Sequence, residues 1–295
     1  MKKLLLIVNP MAGKGMFKDG LADAIYTFSK AGYETTTRFT QAPGHACQLA
    51  GELGSDFDIV CCIGGDGTLS EVLEGVAPLE QQPLVGYFPL GTANDMATAL
   101  KLPKNNIPLA AERIVRGKPM DLDIGTFGQN GNFTYVAAFG AFTDVSYETP
   151  QQEKQALGHF AYVLEGMMRL PKIASCHAKV EYDGGVIEDD FVLGGVVNST
   201  SVAGLIHLDP NKIKLNDGLF ELTLITLPKS ISDLRQILMN LTTRDYSGPF
   251  FKMLPTSYAK FTFDKPVAWT RDGESGGEHK EIEFRNIHNA VKIIV

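Results

Sequence analysis

An apolar run, Ile59-Val60-Cys61-Cys62-Ile63, leads directly into Gly64-Gly65-Asp66-Gly67-Thr68, and that turn leads directly into Leu69-Ser70-Glu71-Val72-Leu73. A short buried strand, a glycine turn and a helix start, in that order, commit this part of the chain to a strand–turn–helix unit. Such a unit suits phosphate. Bare backbone N–H groups point outward from the helix end, which also carries roughly half a positive charge. Asp66 makes the expectation more specific, because a carboxylate beside an anion-binding turn repels phosphate unless a divalent cation, a proton or a hydroxyl lies between them. A nucleoside triphosphate with magnesium is the expected ligand.

The same alternation runs through the first 125 or so residues. Strands are expected at Leu4–Val8, Tyr33–Phe39, Asp58–Ile63 and Leu84–Tyr87. Helices are expected at Gly20–Ala31, Gly44–Leu53, Thr68–Gly75, Asn94–Leu100 and Ile107–Arg116. This rhythm predicts an α/β nucleotide-binding domain with a parallel-rich sheet. Ligands of such sheets bind beyond the C-terminal strand ends, where Asn9, Asp66 and the Gly91 loop all fall. After Asp123 the pattern changes to short strands with hairpin signals at Asp183-Gly184-Gly185 and Asp217-Gly218. Strands are expected at Phe133–Phe139, His177–Tyr182, Asp190–Val197, Leu219–Leu227, Tyr258–Phe263, Val267–Thr270 and Glu281–Arg285. Helices are expected only at Lys154–Met168 and Ile231–Leu241. The second domain is therefore mainly antiparallel and β-rich, beginning near residue 126, and the cleft between domains is the default site.

Composition sets the partners. A formal net charge of −7, with no Lys/Arg block to offset it, argues against non-specific nucleic-acid binding. The apolar run Leu4–Val8 is shorter than a signal-peptide core and reads as a buried first strand. Nowhere do eighteen apolar residues follow one another, so no transmembrane helix is expected and the cytoplasm is the expected compartment. Cys61 and Cys62 read as core thiols, and the four cysteines lack metal-site spacing.

Several further segments carry candidate chemistry, each beside a plainer reading. Asn9-Pro10-Met11-Ala12-Gly13-Lys14-Gly15 follows the first strand but lacks the Gly-Lys-Ser/Thr ending of a Walker loop; it is either a nucleotide contact or a simple connection. Thr68 is a good N-cap, and Asp66 also has capping chemistry. Gly91-Thr92-Ala93-Asn94-Asp95 is a second Gly-Thr turn opening a second helix, with caps as the plain alternative. Asp121 and Asp123, two apart on an extended segment, share a face. Asn216-Asp217-Gly218-Leu219 offers hard oxygen ligands for Mg²⁺ or an ordinary hairpin turn. Arg271-Asp272-Gly273-Glu274 lies at a strand tip and supplies either a turn or a general base.

Taken in order, Asn9-Pro10, Gly64-Gly65-Asp66-Gly67-Thr68, Gly91-Thr92-Ala93-Asn94-Asp95, Asp123-Ile124-Gly125 and Asp272-Gly273-Glu274 resemble the diacylglycerol kinase catalytic family, most closely its soluble bacterial lipid kinases. NAD kinases are more distant relatives. The resemblance covers almost the whole chain. It implies a nucleotide-binding domain over 1–125, completed by 286–295, and a lipid-substrate domain over 126–285. It implies that Asn9, Pro10, Gly13, Lys14, Gly64, Gly65, Asp66, Gly67, Thr68, Gly91, Thr92 and Asn94 contact ATP. Asp66, Asp95 and Asp123 match an acidic network around Mg²⁺. Asn216, Asp217 and the Leu219 carbonyl match a structural Mg²⁺ site, although Asn216 stands where some relatives have Asp. Asp272 matches the general base, with Glu274 nearby.

The implied reaction is transfer of the ATP γ-phosphoryl group to a lipid hydroxyl, most simply that of diacylglycerol. The alternatives are another acceptor, such as a sphingoid base, another lipid or NAD, and a non-catalytic nucleotide- or lipid-binding protein. The lipid would be presented by a membrane or micelle, with transient contact at the inner membrane face; a homodimer is left open. Phe160–Pro171 and the Phe250-Phe251 loop are the candidate lipid-contacting stretches, each with ordinary packing as its alternative.

Overall fold

The computed structural model describes residues 1–92, 94–129, 131–140, 176–202, 206–209 and 213–295. The expected helix at Lys154–Met168 and the stretch Phe160–Pro171 lie outside them, as does the side chain of Lys14. Two units divide the chain: Met1–Asp123 with Asn289–Val295, and Ile124–His288.

The first unit is built on β1 (Lys2–Val8), β2 (Tyr33–Phe39), β3 (Ile59–Gly64) and β4 (Leu84–Pro89), in the spatial order β2-β1-β3-β4. All these pairings are parallel. Leu4–Val8 and all of β3 are buried, as continuous apolar runs must be in a sheet covered on both faces. Edge strand β2 is Tyr-Glu-Thr-Thr-Thr-Arg-Phe, a polar sequence of the kind that blunts an open edge. Helices α1 (Leu21–Lys30), α2 (His45–Leu53), α3 (Asp66–Val76), α4 (Asp95–Ala99) and α5 (Ile107–Arg116) connect the strands. On α5, Ile107, Ala110, Ala111 and Ile114 form the buried stripe of a 3.6-residue period. Asn106 starts that helix by accepting the Leu109 N–H at 3.0 Å. Between β1 and α1 the chain forms a 3₁₀ helix, Ala12–Asp19, where a simple connection was one expectation.

Strand β5 (Pro119–Thr126) carries the chain from the first unit into the second. There follow β6 (Asn132–Phe133), β7 (Val136–Gly140), β8 (Cys176–Tyr182), β9 (Gly185–Val197), the short pair β10 (Ser201–Val202) and β11 (Ile206–His207), then β12 (Phe220–Thr226), α6 (Ile231–Thr243), β13 (Phe251–Thr256), β14 (Tyr258–Arg271) and β15 (Glu274–Ile294). The main sheet runs β13-β12-β9-β7-β14-β15, with β8 filling the other half of the gap between β9 and β14. Its pairings are antiparallel. Phe133, Phe139, Phe261, Phe284 and Trp269 form its aromatic core, meeting edge-on or tilted. The end of β15 returns to the first unit, where Ile293 pairs in parallel with Val85 of β4.

The expected α/β region followed by an antiparallel β region is the observed architecture. Individual strands differ. Phe133–Phe139 is two strands, because three consecutive backbone N–H groups at its centre turn onto one carboxylate, described below. Tyr258–Phe263 and Val267–Thr270 are one strand, β14, whose register with β15 shifts between Thr262 and Val267. The Pro249–Pro255 loop is mostly strand β13, and Phe251 is buried against Tyr246 at 5.3 Å. That removes Phe251 as a lipid-facing residue.

Candidate active site

In the first unit the strand tips are tied together by short polar contacts. Asn9, just past β1, accepts the Met11 N–H on Oδ1 at 3.0 Å and donates from Nδ2 to the Thr68 hydroxyl at 3.0 Å. Its own N–H donates to the Ile63 carbonyl at 2.9 Å. Thr68 is therefore not the N-cap expected of it. Helix α3 starts two residues earlier, after Gly65, and Thr68 anchors the tip of the neighbouring strand.

The two glycine turns meet backbone to backbone. A Cβ at Gly91 would lie 2.4 Å from the Gly65 Cα, and the Leu90 N–H donates to the Gly64 carbonyl at 2.8 Å. Only glycine permits this approach. Asn94, at φ +52°, does not face outward. It is 1% exposed, accepts from Gly91 N–H at 2.9 Å and from the Tyr87 hydroxyl at 3.2 Å, and returns its amide to the Gly91 carbonyl at 2.7 Å. Its place is inside the second turn, holding it closed. Thr92 is exposed.

Helix ends decide where an anion can bind. Asp66 reaches from α3 to the start of α4, accepting the Asp95 N–H at 2.9 Å and the Met96 N–H at 3.2 Å. Glu71, one turn on, reaches the start of α2 and accepts from Gly44 N–H at 2.8 Å and Ala46 N–H at 3.0 Å. Two neighbouring helices are thus closed by carboxylates of α3, whereas α3 itself has no side-chain cap. Its N-terminus, framed by Gly65 and Gly91, has backbone donors suited to phosphate. Glu71 escaped the sequence reading, since an acid on a helix gives no sign of which distant N-terminus it caps.

Burial pushes the Asp66 carboxyl up to about 6 from an ordinary 3.8; the Asp95 charge adds to the rise, and the hydrogen bonds from Asp95 and Met96 oppose it. Two acids brought together at one half-dry turn, both hard oxygen donors, fit Mg²⁺. Asp123 is fully buried and accepts the Asn289 N–H at 2.7 Å. Asp121, by contrast, pairs with Lys292 at the surface.

In the second unit Asp272 and Gly273 form the two-residue turn of the β14–β15 hairpin, at φ +50° and +83°. Positive φ at both central residues is the type I′ geometry that Asp-Gly favours. The Asp272 side chain is buried. Its Oδ2 accepts from Thr134 N–H at 2.7 Å, and its Oδ1 accepts from Tyr135 N–H at 2.9 Å and Val136 N–H at 3.1 Å. With both oxygens engaged and little water reaching them, Asp272 pins the turn and is poorly placed to take a proton from a substrate. Glu274, first residue of β15, is exposed. Of the two carboxylates of this hairpin, Glu274 is the one that solvent reaches.

The Leu215–Leu219 turn closes partly on itself, Asp217 accepting the Leu219 N–H at 3.2 Å, with Asn216 and Asp217 exposed. Among the described residues no group of three or more His, Cys, Asp or Glu is arranged to hold an ion. Nearby, the Glu221 carboxyl is raised by burial and then by the Asp217 charge.

A cavity of about 640 Å³ opens beside the Asp272–Glu274 hairpin within the second unit, with Phe127, Arg271, Ser275, His279, Glu281 and Glu283 among its walls. None but the Arg271 turn drew notice in the sequence, because the cavity is assembled from β14, β15 and the residues after β5.

Solved structures share this fold. A provisionally assigned diacylglycerol kinase from Bacillus anthracis str. Sterne superposes with a TM-score of 0.78 at 26% identity, covering 99% of this chain and 97% of that one. A second structure of a diacylglycerol kinase from the same organism gives a TM-score of 0.76 at 23% identity, over 99% and 96% of the two chains. The class is therefore an α/β unit followed by a β unit of the diacylglycerol-kinase type. A model of the diacylglycerol kinase catalytic domain matches residues 3–127. The chain is 34% identical to a diacylglycerol kinase of Bacillus subtilis (strain 168), over all of this chain and 97% of that protein. It is 39% identical to one of Staphylococcus aureus (strain JH9), over 94% and 87%. The chain belongs to the diacylglycerol kinase catalytic family. It is an enzyme, an ATP-dependent lipid kinase.

Proposed function

We propose that the enzyme transfers the γ-phosphoryl group of ATP to the free hydroxyl of diacylglycerol, giving phosphatidic acid and ADP. The observation that carries the nucleotide half is the uncapped α3 N-terminus between two glycine turns, beside two closely spaced acids. The acceptor half is supported by the names of the relatives in Bacillus subtilis and Staphylococcus aureus.

In this reading the backbone N–H groups at Gly65–Thr68 hold the phosphates. Asn9 and Asn94 keep the surrounding turns in shape, with Pro10, Gly13, Lys14, Gly64 and Thr92 completing the nucleotide contacts. Asp66 and Asp95, with Asp123, hold Mg²⁺, which supplies charge neutralisation for the transferring oxygens. Asp217 and the Leu219 carbonyl, with Asn216 alongside, hold a second, structural Mg²⁺. Glu274 accepts the lipid hydroxyl proton while the oxygen bonds to the γ-phosphorus and the bond to the β-phosphate oxygen breaks. Asp272 positions Glu274 by fixing the turn. The chain works on lipid presented by a membrane or micelle; among the described residues no helix is long and apolar enough to cross a membrane.

The test is transfer from γ-labelled ATP, with Mg²⁺, to a panel in mixed micelles: diacylglycerol, monoacylglycerol, phosphatidylglycerol and sphingosine, with NAD as soluble competitor. Label in phosphatidic acid, lost in Glu274→Gln, supports the reading. Label in another acceptor and none in phosphatidic acid overturns it.

A further inference from the structure

We infer that helix α6 is a membrane-docking face of the second unit, laid flat on an anionic lipid surface through Ile231 and Met239 with Arg235 between them. This rests on the reading of the acceptor as a lipid presented by a membrane, and it names a surface that meets that membrane.

The helix is apolar on two sides. Leu234, Ile237 and Leu241 form the stripe that packs into the protein. Ile231 and Met239 lie outside that stripe and are 63% and 62% exposed. At 3.6 residues per turn, Ile231, Arg235 and Met239 follow one another at steps of about 40° round the axis, and half-buried Leu238 and exposed Thr242 fall beside them. The outward arc is thus apolar side chains round one guanidinium, with no carboxylate on it. Asp233, the one acid of the helix, is turned about 200° from Ile231. It serves the helix start, accepting the Lys229 N–H at 2.9 Å while its own N–H donates to the Ser230 hydroxyl at 3.1 Å.

Charge decides what covers this face. The whole chain carries a formal −7, so an anionic surface repels it except where a local patch reverses the sign. Exposed cations stand along α6 at its start, middle and end, as Lys229, Arg235 and Arg244. Asp245, beyond the end, is bonded back to its own turn by the Ser247 N–H at 3.1 Å and hydroxyl at 2.7 Å. An exposed apolar face with cations along it is the pattern of a helix lying in a bilayer interface. A second copy of the same face is disfavoured, since it brings guanidinium against guanidinium. Val186 supplies the contrast. It is 58% exposed as well, but it stands opposite Glu181 in the β8–β9 ladder, between Asp183 and Glu188 in sequence, where an anionic surface is repelled.

The experiment sediments the full chain with vesicles of equal parts phosphatidylcholine and phosphatidylglycerol, and with vesicles of phosphatidylcholine alone. The wild type is compared with the double variant Ile231→Ser/Met239→Ser, with Arg235→Gln and with Val186→Ser, each first checked by thermal melting. The wild type binds the mixed vesicles more tightly than the neutral ones. The double variant weakens binding to the mixed vesicles about tenfold, the scale of two apolar side chains partly withheld from lipid. Arg235→Gln weakens it about fivefold, the weight of one Arg at an anionic surface, and Val186→Ser leaves it unchanged. Phosphoryl transfer to diacylglycerol in the mixed vesicles falls in step with binding, while transfer to a short-chain diacylglycerol dispersed as monomers stays at the wild-type rate. Should the double variant fail to melt cooperatively, Arg235→Gln decides. A wild type that pellets with neither vesicle overturns the inference, as does equal binding by the wild type and the α6 variants. A double variant that changes the oligomeric state in sedimentation velocity and binds vesicles as before also overturns it, since the face then covers a second copy. Transfer to no lipid, by a wild type whose vesicle binding depends on α6, overturns the acceptor reading and supports the docking face.

Discussion

Two of the chain's Asp-Gly turns look alike in sequence and are opposites in structure. At Asp66-Gly67 the turn opens a helix, and the carboxylate crosses to cap a second helix through two N–H groups. Burial, with the Asp95 charge adding to it, leaves it with a raised affinity for a proton. At Asp272-Gly273 the turn closes a hairpin, and the carboxylate takes three backbone N–H groups from Thr134–Val136, where β6 gives way to β7. The first Asp retains an unmet electrostatic demand and is suited to chemistry. The second is satisfied and is suited to holding its neighbour still. An Asp in a glycine turn therefore has no fixed role, and the count and source of its donors distinguish the two cases.

The largest expected effect tests the proposal that Glu274 is the proton acceptor. Glu274→Gln lowers the phosphoryl-transfer rate by roughly 10²–10⁴-fold, with the melting temperature unchanged. Full activity in that variant, measured with γ-labelled ATP, breaks the distinction between pin and base. Next in size is Gly91→Ala. A methyl group 2.4 Å from the Gly65 Cα forces the two turns apart, at a cost of about 3 kcal/mol in denaturant unfolding and with ATP binding weakened.

Asp66 sharpens the comparison through pH. Its carboxyl titrates at about 6 when folded, against an ordinary 3.8. Between those values the folded protein keeps a proton that the unfolded chain releases. Stability from this group is therefore present below about pH 4 and is lost as pH rises through 6, by on the order of 3 kcal/mol. Chemical denaturation without Mg²⁺ or ATP should show this fall, and Asp66→Ala should flatten it. Asp272→Asn gives the converse result. It puts an amide N–H₂ against backbone donors and costs about 2 kcal/mol by the same measurement.

How much of this was legible depended on the range of the forces involved. Tyr33–Phe39 and Ile107–Arg116 have the bounds expected of them, because each carries its period and its end signals within itself. The Gly64–Thr68 turn was legible for the same reason. The partners of Asp66, Glu71, Asn94 and Asp272 were not, since each hydrogen bond joins segments whose approach is set by the whole sheet. Thr68 shows the limit well: good capping chemistry, in a place where Asn9 claims the hydroxyl. Strand β13 was also missed, since Pro249 and Pro255 gave its sequence the look of a loop. Its backbone is ordered by pairing with β12 from Phe251 to Thr256.

The smallest expected effect concerns a carboxylate–histidine contact on the β8–β9 face, where exposure replaces burial. His177 meets Asp190 through Nδ1 at 3.0 Å and Glu188 through Nε2 at 3.4 Å, with its side chain 44% exposed. The hydrogen bond that His177 donates to Asp190 raises its pKa above the ordinary 6.5; Glu188, Asp190 and Asp264 add to the rise, and slight burial opposes it. Protonated His177 thus favours the folded state. That contribution is complete below pH 6.5 and disappears as pH rises through the folded value. Because water screens both acids, it amounts to a few tenths of a kcal/mol. His177→Gln should lower stability slightly at pH 6 and leave it unchanged at pH 9. A loss as large as that from Asp272→Asn would mean that three backbone donors on a buried acid count for no more than an ion pair in water, and the contrast between the two Asp-Gly turns would then need another cause.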